Sequence, residues 1–381
     1  VLLVFLRLGC TSFGGPIAHL GYFRKELVER RRWCSDAAFA EMVGLAQSLP
    51  GPSSSQVGFA LGLMRAGWPG GVAAWVGFTL PSALLMMAFA LGHAQMQYGA
   101  AERVLHGLQL VAVAVVAQAV VTMWRSLAPD ATRTLIALAG GAIVLLVRVG
   151  APNLLAIGLG VVAGLILCGG AVALPMDEGR VRLGRSQGFT AGAVFVGLLG
   201  LTWFVGPLWL QIFAAFYRTG ALVFGGGHVV LPLLEHTVVD RGWVGQQAFL
   251  SGYGVVQAMP GPLFSFGGYL GALIPPYEHR WLHAGAALVG LFLPGLLLMA
   301  AVVPFWSALR RRPKLQAALR GVNASVVGIL AAALVHPLIP ATVHGWVDAV
   351  VALAAFGLLR VKRVQPWMVV VGVGAVFFLW R

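Results

Sequence analysis

Long apolar runs separated by short polar stretches dominate the chain. Segments 71–91, 104–123, 135–149, 154–168, 189–205, 286–303, 322–335, 347–359 and 367–380 consist mainly of Leu, Val, Ala, Gly and Phe. A helix needs roughly 20 apolar residues to cross the hydrocarbon core of a bilayer, and these runs reach or approach that length. Aromatic residues stand near their ends (Trp124, Trp203, Trp306, Trp346, Trp367, Trp380), where an amphipathic ring sits well at headgroup level. The pattern predicts an all-α integral membrane protein that crosses several times.

Composition supports the same solvent. Of 381 residues, 59% are hydrophobic and only 10% charged, whereas a soluble domain carries about 25% charged residues. The formal net charge of +14 does not mark a nucleic-acid binder, because the basic residues gather in short loops. These hold Arg24, Lys25, Arg30, Arg31 and Arg32; Arg180, Arg182 and Arg185; Arg310, Arg311, Arg312, Lys314 and Arg320; and Arg360, Lys362 and Arg363. Loops of this kind stay in the cytoplasm, where they meet anionic headgroups. Cys10, Cys34 and Cys168 show neither metal spacing nor a disulfide framework and read as inert packing residues. With no cofactor fingerprint either, the expectation is no cofactor, no metal and no enzyme. No cleavable signal peptide is visible. The chain opens at Val1 in an apolar stretch, so further residues are expected upstream in the native protein.

An internal repeat organises the chain. Arg7-Leu8-Gly9, Phe13-Gly14-Gly15-Pro16, Trp33, Phe39 and Gln47-Ser48-Leu49-Pro50-Gly51-Pro52 recur, in order, as Arg218-Thr219-Gly220, Phe224-Gly225-Gly226-Gly227, Trp243, Phe249 and Gln257-Ala258-Met259-Pro260-Gly261-Pro262. Leu80-Pro81, Gly107 and Pro152 find counterparts in Leu293-Pro294, Gly321 and Pro366, and the offset stays between 210 and 214 residues. The repeat divides the chain into an N-terminal unit (1–170), a linker with a connecting apolar helix (171–207) and a C-terminal unit (208–381).

Loop charge sets the halves in opposite directions. Loop 20–36 is strongly basic, while its counterpart 228–245 carries Glu235, Asp240 and Arg241; loop 94–103 is weakly charged, while its counterpart 306–320 is basic. Opposite charge at equivalent places is the pattern of an inverted-topology repeat. If loop 20–36 is inside and 94–103 outside, segment 37–64 crosses zero or two times. Its arms, 37–49 and 53–64, reach only about 20 Å each at 1.5 Å per residue, too short for a full crossing. A re-entrant helical hairpin tipped at Pro50-Gly51-Pro52 is therefore expected, with a second one tipped at Pro260-Gly261-Pro262. One conflict stays open. The linker 171–188 reads as cytoplasmic, yet crossings at both 189–205 and 208–224 would place loop 228–245 inside, against its charge. Either one segment does not cross fully or the linker lies outside.

The candidate chemistry lies at the breaks. Irregular backbone at membrane depth persists only where protein or a watery cavity satisfies it, and the helix that restarts after a break points unpaired N–H groups and a partial positive charge at the tip. An anion fits such an end. Ser53, Ser54, Ser55 and Gln56 follow the first break and Ser265 the second. Gly14, Gly15, Gly225 and Gly226 let backbone approach a ligand, or equally a neighbouring helix. Arg7 and Arg218 sit at equivalent places in apolar runs; each is a candidate for neutralising an oxyanion or a residue snorkelling from a helix end. His19 and His228 flank the glycines as candidates to bind or carry a proton. Glu41, whose counterpart is Ser251, is a further proton-coupling candidate, and Asp348 and His336 are weaker ones.

These motifs resemble the chromate ion transporter family in its long-chain, two-domain form. The resemblance rests on Phe13-Gly14-Gly15-Pro16 with Ala18-His19 and Gly21-Tyr22-Phe23-Arg24. It rests also on Gln47-Ser48-Leu49-Pro50-Gly51-Pro52 with Ser54 and Gln56, on Phe224-Gly225-Gly226-Gly227-His228, and on Met259-Pro260-Gly261-Pro262. It covers nearly the whole chain. It implies efflux of chromate from the bacterial cytoplasm across the inner membrane, driven by the proton-motive force and giving chromate resistance, with sulfate as a competing analogue. Expected partners are the oxyanion, membrane lipid and protons, with an oligomer also open and nucleic acid excluded. A passive oxyanion channel and a carrier of sulfate or another tetrahedral oxyanion are the alternatives.

Overall fold

The computed structural model describes residues 1–93, 100–147, 152–169, 183–204, 206–224, 227–309, 312–361 and 364–379. All regular structure among them is helical. The first half supplies α1 (Leu2–Thr11), α2 (Gly15–Phe23), a π-helical turn (Arg24–Arg30), α3 (Asp36–Ser48), α4 (Ser53–His93), α5 (Ala100–Leu127), α6 (Ala131–Leu146) and α7 (Pro152–Leu167). After α8 (Arg185–Leu201) come α9 (Leu208–Leu222), α10 (Val230–Val238), α11 (Gln246–Val256), α12 (Phe266–Leu273), α13 (Arg280–Val302), the short α14 (Trp306–Leu309), α15 (Pro313–Ala333), the short α16 (Ile339–Thr342), α17 (Trp346–Leu359) and α18 (Pro366–Leu379).

Four of these stretches, Ser53–Gly92, Glu102–Leu127, Tyr277–Phe305 and Pro313–Thr342, are long and apolar enough to cross a membrane, and six shorter helices are apolar. The outward faces agree. Leu135 and Leu146 on α6, Ile166 on α7, Phe189 on α8, Leu353 on α17 and Phe378 on α18 are all at least 60% exposed. An apolar surface this extensive is unfavourable in water and matches lipid. The chain is a multi-pass membrane protein.

The helices break where sequence chemistry requires. Ser35 caps α3 by accepting from the Ala38 N–H. α3 stops at Ser48 and α4 starts at Ser53, because proline cannot donate and disfavours helix in the residue before it. Gly51 supplies the turn at φ 122°, and Gly261 does so in the second half at φ 93°. α4 is itself two arms. Ala66 and Gly67 leave helical geometry, so the arm after the first break runs 53–65, about 20 Å long.

The two halves interlock. α6 and α7 of the first half pack on α15 of the second, and α17 and α18 of the second pack on α5 of the first. Small residues permit the close crossings: a side chain at Gly160 would lie 2.8 Å from the Gly321 carbonyl oxygen. Each half thus lends its last two helices to the other, at equivalent positions.

Candidate functional site

Both Pro-Gly-Pro breaks and both glycine-rich breaks meet at one cavity of about 530 Å³. From the first half, Gly14, Gly15, Gly51 and Ser53 line it; from the second, Gly227, His228, Gly261 and Leu263. Those residues mark the starts of α2, α4, the short helical turn before α10 and the turn that leads into α12. Four helix starts therefore face one space, each carrying N–H groups without intrahelical partners.

The tips are fixed by exchange between halves. Gly51 N–H donates to the Val223 carbonyl at 2.7 Å, and Gly261 N–H donates to the Ser12 carbonyl at 2.9 Å. Gln56 braces the first tip from within: its Nε2 donates to the carbonyls of Pro50 at 2.8 Å and Gly295 at 3.0 Å. Each tip also packs on the long helix of the opposite half. A Cβ on Gly51 would lie 2.8 Å from Gly295 Cα on α13, and one on Gly261 would lie 2.9 Å from Ser82 Oγ on α4. No larger residue fits either tip without displacing backbone or the braced side chain.

The expected residues divide accordingly. Gly14, Gly15, Gly51, Ser53, His228 and Gly261 line the cavity. Pro50, Pro52, Pro260 and Pro262 shape the tips behind it. Ser54, Ser55 and Gln56 are buried under the first tip and Ser265 under the second; the hydroxyls of Ser55 and Ser265 find no hydrogen-bond partner. His19 is buried with Nδ1 3.3 Å from Ser54 Oγ and packs edge-on against Phe78. His228 Nδ1 lies 2.9 Å from the Tyr253 hydroxyl. Gly225 and Gly226 lie outside the described residues.

The structure does not bring the two arginines into the cavity. Arg7 is exposed on α1, in a separate groove with Tyr22, Lys25, Glu26 and Arg30. The helical phase that buries Phe5, Leu8 and Gly9 turns position 7 outward. Arg218 donates from Nη1 to the Thr202 carbonyl at 2.8 Å and stacks over Trp203. Glu41 is half-buried on α3, away from the cavity lining. Ser251 hydrogen-bonds Gln109 and the Gln247 carbonyl. His336 is exposed, and Asp348 pairs with His106. Of the cysteines, Cys168 is buried, Cys34 half-buried and Cys10 exposed, so Cys10 is not a packing residue.

Sequence reasoning missed the polar stripe of α5. Gln118, Thr122 and Ser126 line the cavity at four-residue spacing, which puts them on one helix face. That spacing was available in the sequence, but segment 104–123 reads as an apolar run. Thr122 and Ser126 do bond carbonyls one turn back, while Gln118 Oε1 is buried without a partner. Glu235 was noted only as a loop charge. It is buried on α10 and accepts from Gln246 Nε2.

The comparisons with known proteins bear on this geometry. The family profile described as "Chromate transporter" matches residues 1–165 and 210–378. The chain belongs to the chromate transporter family. The two matched segments take in both helix breaks of each half and the α5 stripe, so every wall of the cavity is built from family sequence. A "Probable chromate transport protein" of Synechococcus elongatus is 29% identical over 407 residues, covering 99% of this chain and 94% of that protein. A "Chromate transport protein" of Pseudomonas aeruginosa is 31% identical over 340 residues, covering 86% of this chain and 78% of that protein. One of Cupriavidus metallidurans, with the same description, is 28% identical over 383 residues, covering 98% and 90%. No solved structure matches the chain.

Proposed function

We propose that this protein is a secondary active transporter that exports chromate across the bacterial inner membrane, driven by the proton-motive force. The observation that carries the reading is the convergence of four helix starts, two from each half, on one cavity. A dianion there meets fixed N–H dipoles that need no reorganisation. The Ser53 hydroxyl, the Gln118 amide and His228 supply side-chain donors beside them. Neutral donors satisfy the oxygens of a tetrahedral oxyanion, and sulfate, of the same shape and charge, competes.

On this reading, units 1–170 and 208–381 are inverted repeats joined through 171–207, and the Pro-Gly-Pro breaks are the tips of re-entrant hairpins. Alternating access moves one half against the other around the cavity. Gly14, Gly15, Pro50, Gly51, Pro52 and Ser53, with Gly225, Gly226, Pro260, Gly261 and Pro262, form the binding segments. Ser54, Ser55, Gln56 and Ser265 support them. Arg7 and Arg218 act along the route rather than on the bound ion. His19, His228 and Glu41 are the proposed proton carriers.

Chromate uptake by everted membrane vesicles tests the reading. Accumulation is expected with an energised membrane and is abolished by an uncoupler. Accumulation that persists with the gradient collapsed contradicts proton-motive coupling, and flux far above carrier turnover favours a channel instead.

A further inference from the structure

A second cluster lies away from the cavity, where α5 meets α17. His106 Nε2 on α5 is 2.9 Å from Asp348 Oδ1 in the first turn of α17. One ligand atom from each of His106, His344 and Asp348 lies within 4.8 Å of the other two. The sequence conceals this group, because 242 residues separate His106 from Asp348.

The supports are those of a ligand set. Asp348 Oδ2 accepts from the His344 backbone N–H at 2.9 Å, which fixes the carboxylate and leaves Oδ1 for His106. The His106 ring meets Phe377 edge-on and lies nearly parallel to the His344 ring, with both centroid separations 5.9 Å. His106 and Asp348 are partly buried, and His344 is exposed.

We propose that His106, His344 and Asp348 bind a divalent transition-metal cation of the zinc class. Two imidazoles and one carboxylate suit zinc and its neighbours, whereas magnesium and calcium take oxygen ligands. Tetrahedral zinc, with bonds near 2.1 Å, holds its ligand atoms about 3.4 Å apart. The His106–Asp348 pair is already closer than that, and rotation of the exposed His344 side chain closes the third side. The fourth position is left for water. Because α5 belongs to the first half and α17 to the second, the cation fastens the halves together at a point remote from the oxyanion cavity.

The test is zinc binding by the purified, tag-free full chain after chelation, measured as retained metal per protein with cobalt absorption as a second readout. About one zinc per chain is expected, with cobalt giving a tetrahedral spectrum. His344→Ala, at an exposed position, and Asp348→Asn are each expected to weaken binding by at least about 10-fold. His336→Ala, at an exposed histidine outside the cluster, leaves it unchanged. Substoichiometric binding by the wild type, or binding that survives either cluster substitution unchanged, overturns the site and leaves His106 and Asp348 as a simple ion pair.

Discussion

Gly51 donates its backbone N–H to the carbonyl of Val223, at 2.7 Å. Gly51 is the tip of the first break, and Val223 ends the helix before the second half's glycine-rich break. The equivalent bond, Gly261 to Ser12 at 2.9 Å, runs the other way. Each tip is held by the other half's broken helix, so any movement of one half against the other must act on both tips.

Substitution at a tip should be severe. Gly51 has a φ of 122°, and a Cβ there would lie 2.8 Å from Gly295 Cα. Left-handed strain costs about 1–3 kcal/mol before the clash is added. Gly51→Ala is expected to reduce chromate transport at least about 10-fold, and Gly51→Val to abolish it, with the protein still present in the membrane. Vesicle uptake normalised to immunoblot checks this; full activity would mean that the tip does not approach the ligand.

Gln56 has a different role. Its amide bridges Pro50 and Gly295, so Gln56→Leu strands the buried Pro50 carbonyl and removes the second bond on the Gly295 carbonyl, which stays within α13. A destabilisation of roughly 1–3 kcal/mol is expected, seen as a lower midpoint of thermal unfolding in detergent. An unchanged midpoint would show that water takes over both bonds.

Arg7 lies outside the cavity but shares a groove with Lys25 and Arg30. Arg7→Ala is therefore expected to raise the half-saturating chromate concentration a few-fold at low ionic strength. The effect should shrink as salt screens it over the ~10 Å Debye length at 0.1 M. A salt-independent loss of affinity would instead place Arg7 on the bound ion.

Glu26 anchors the basic loop, pairing with Arg31 at 2.6 Å and Arg30 at 3.1 Å. The Arg31 hydrogen bond holds its carboxyl below the ordinary value of 4.5. A depressed carboxylate stabilises the fold above its ordinary pKa, and the contribution is lost as pH falls through the depressed value. Glu26→Gln should lower stability at pH 7 by at most about 1 kcal/mol and flatten the acid side of the profile below pH 4.5. Parallel profiles for the two proteins would show that the pair contributes nothing.

The helix breaks are legible in the sequence because proline and glycine act locally. The helices break around Pro50, Pro52, Pro260 and Pro262, each pair flanking a positive-φ glycine, and the repeat pairs these breaks. The direction of a side chain around a helix is harder to read in an apolar run. Arg7 and Arg218 occupy equivalent positions, yet one faces outward and the other caps Thr202. Gln118 stands in an apolar run, and the packing of α11, α15, α17 and α18 around α5 leaves it lining the cavity. The exchange of α6 and α7 for α17 and α18 is a long-range arrangement that no local pattern encodes.

Equilibrium binding of chromate to the purified protein, wild type against Ser53→Asp, shows whether the helix starts around the cavity hold the anion. An aspartate at the start of α4 suits the helix dipole and should leave thermal stability unchanged or slightly raised, while its charge repels a dianion in the cavity. Saturable wild-type binding is expected, competed by sulfate and weakened at least about 10-fold in the variant. Equal affinity in the two proteins, with both folded, would contradict binding at the helix starts.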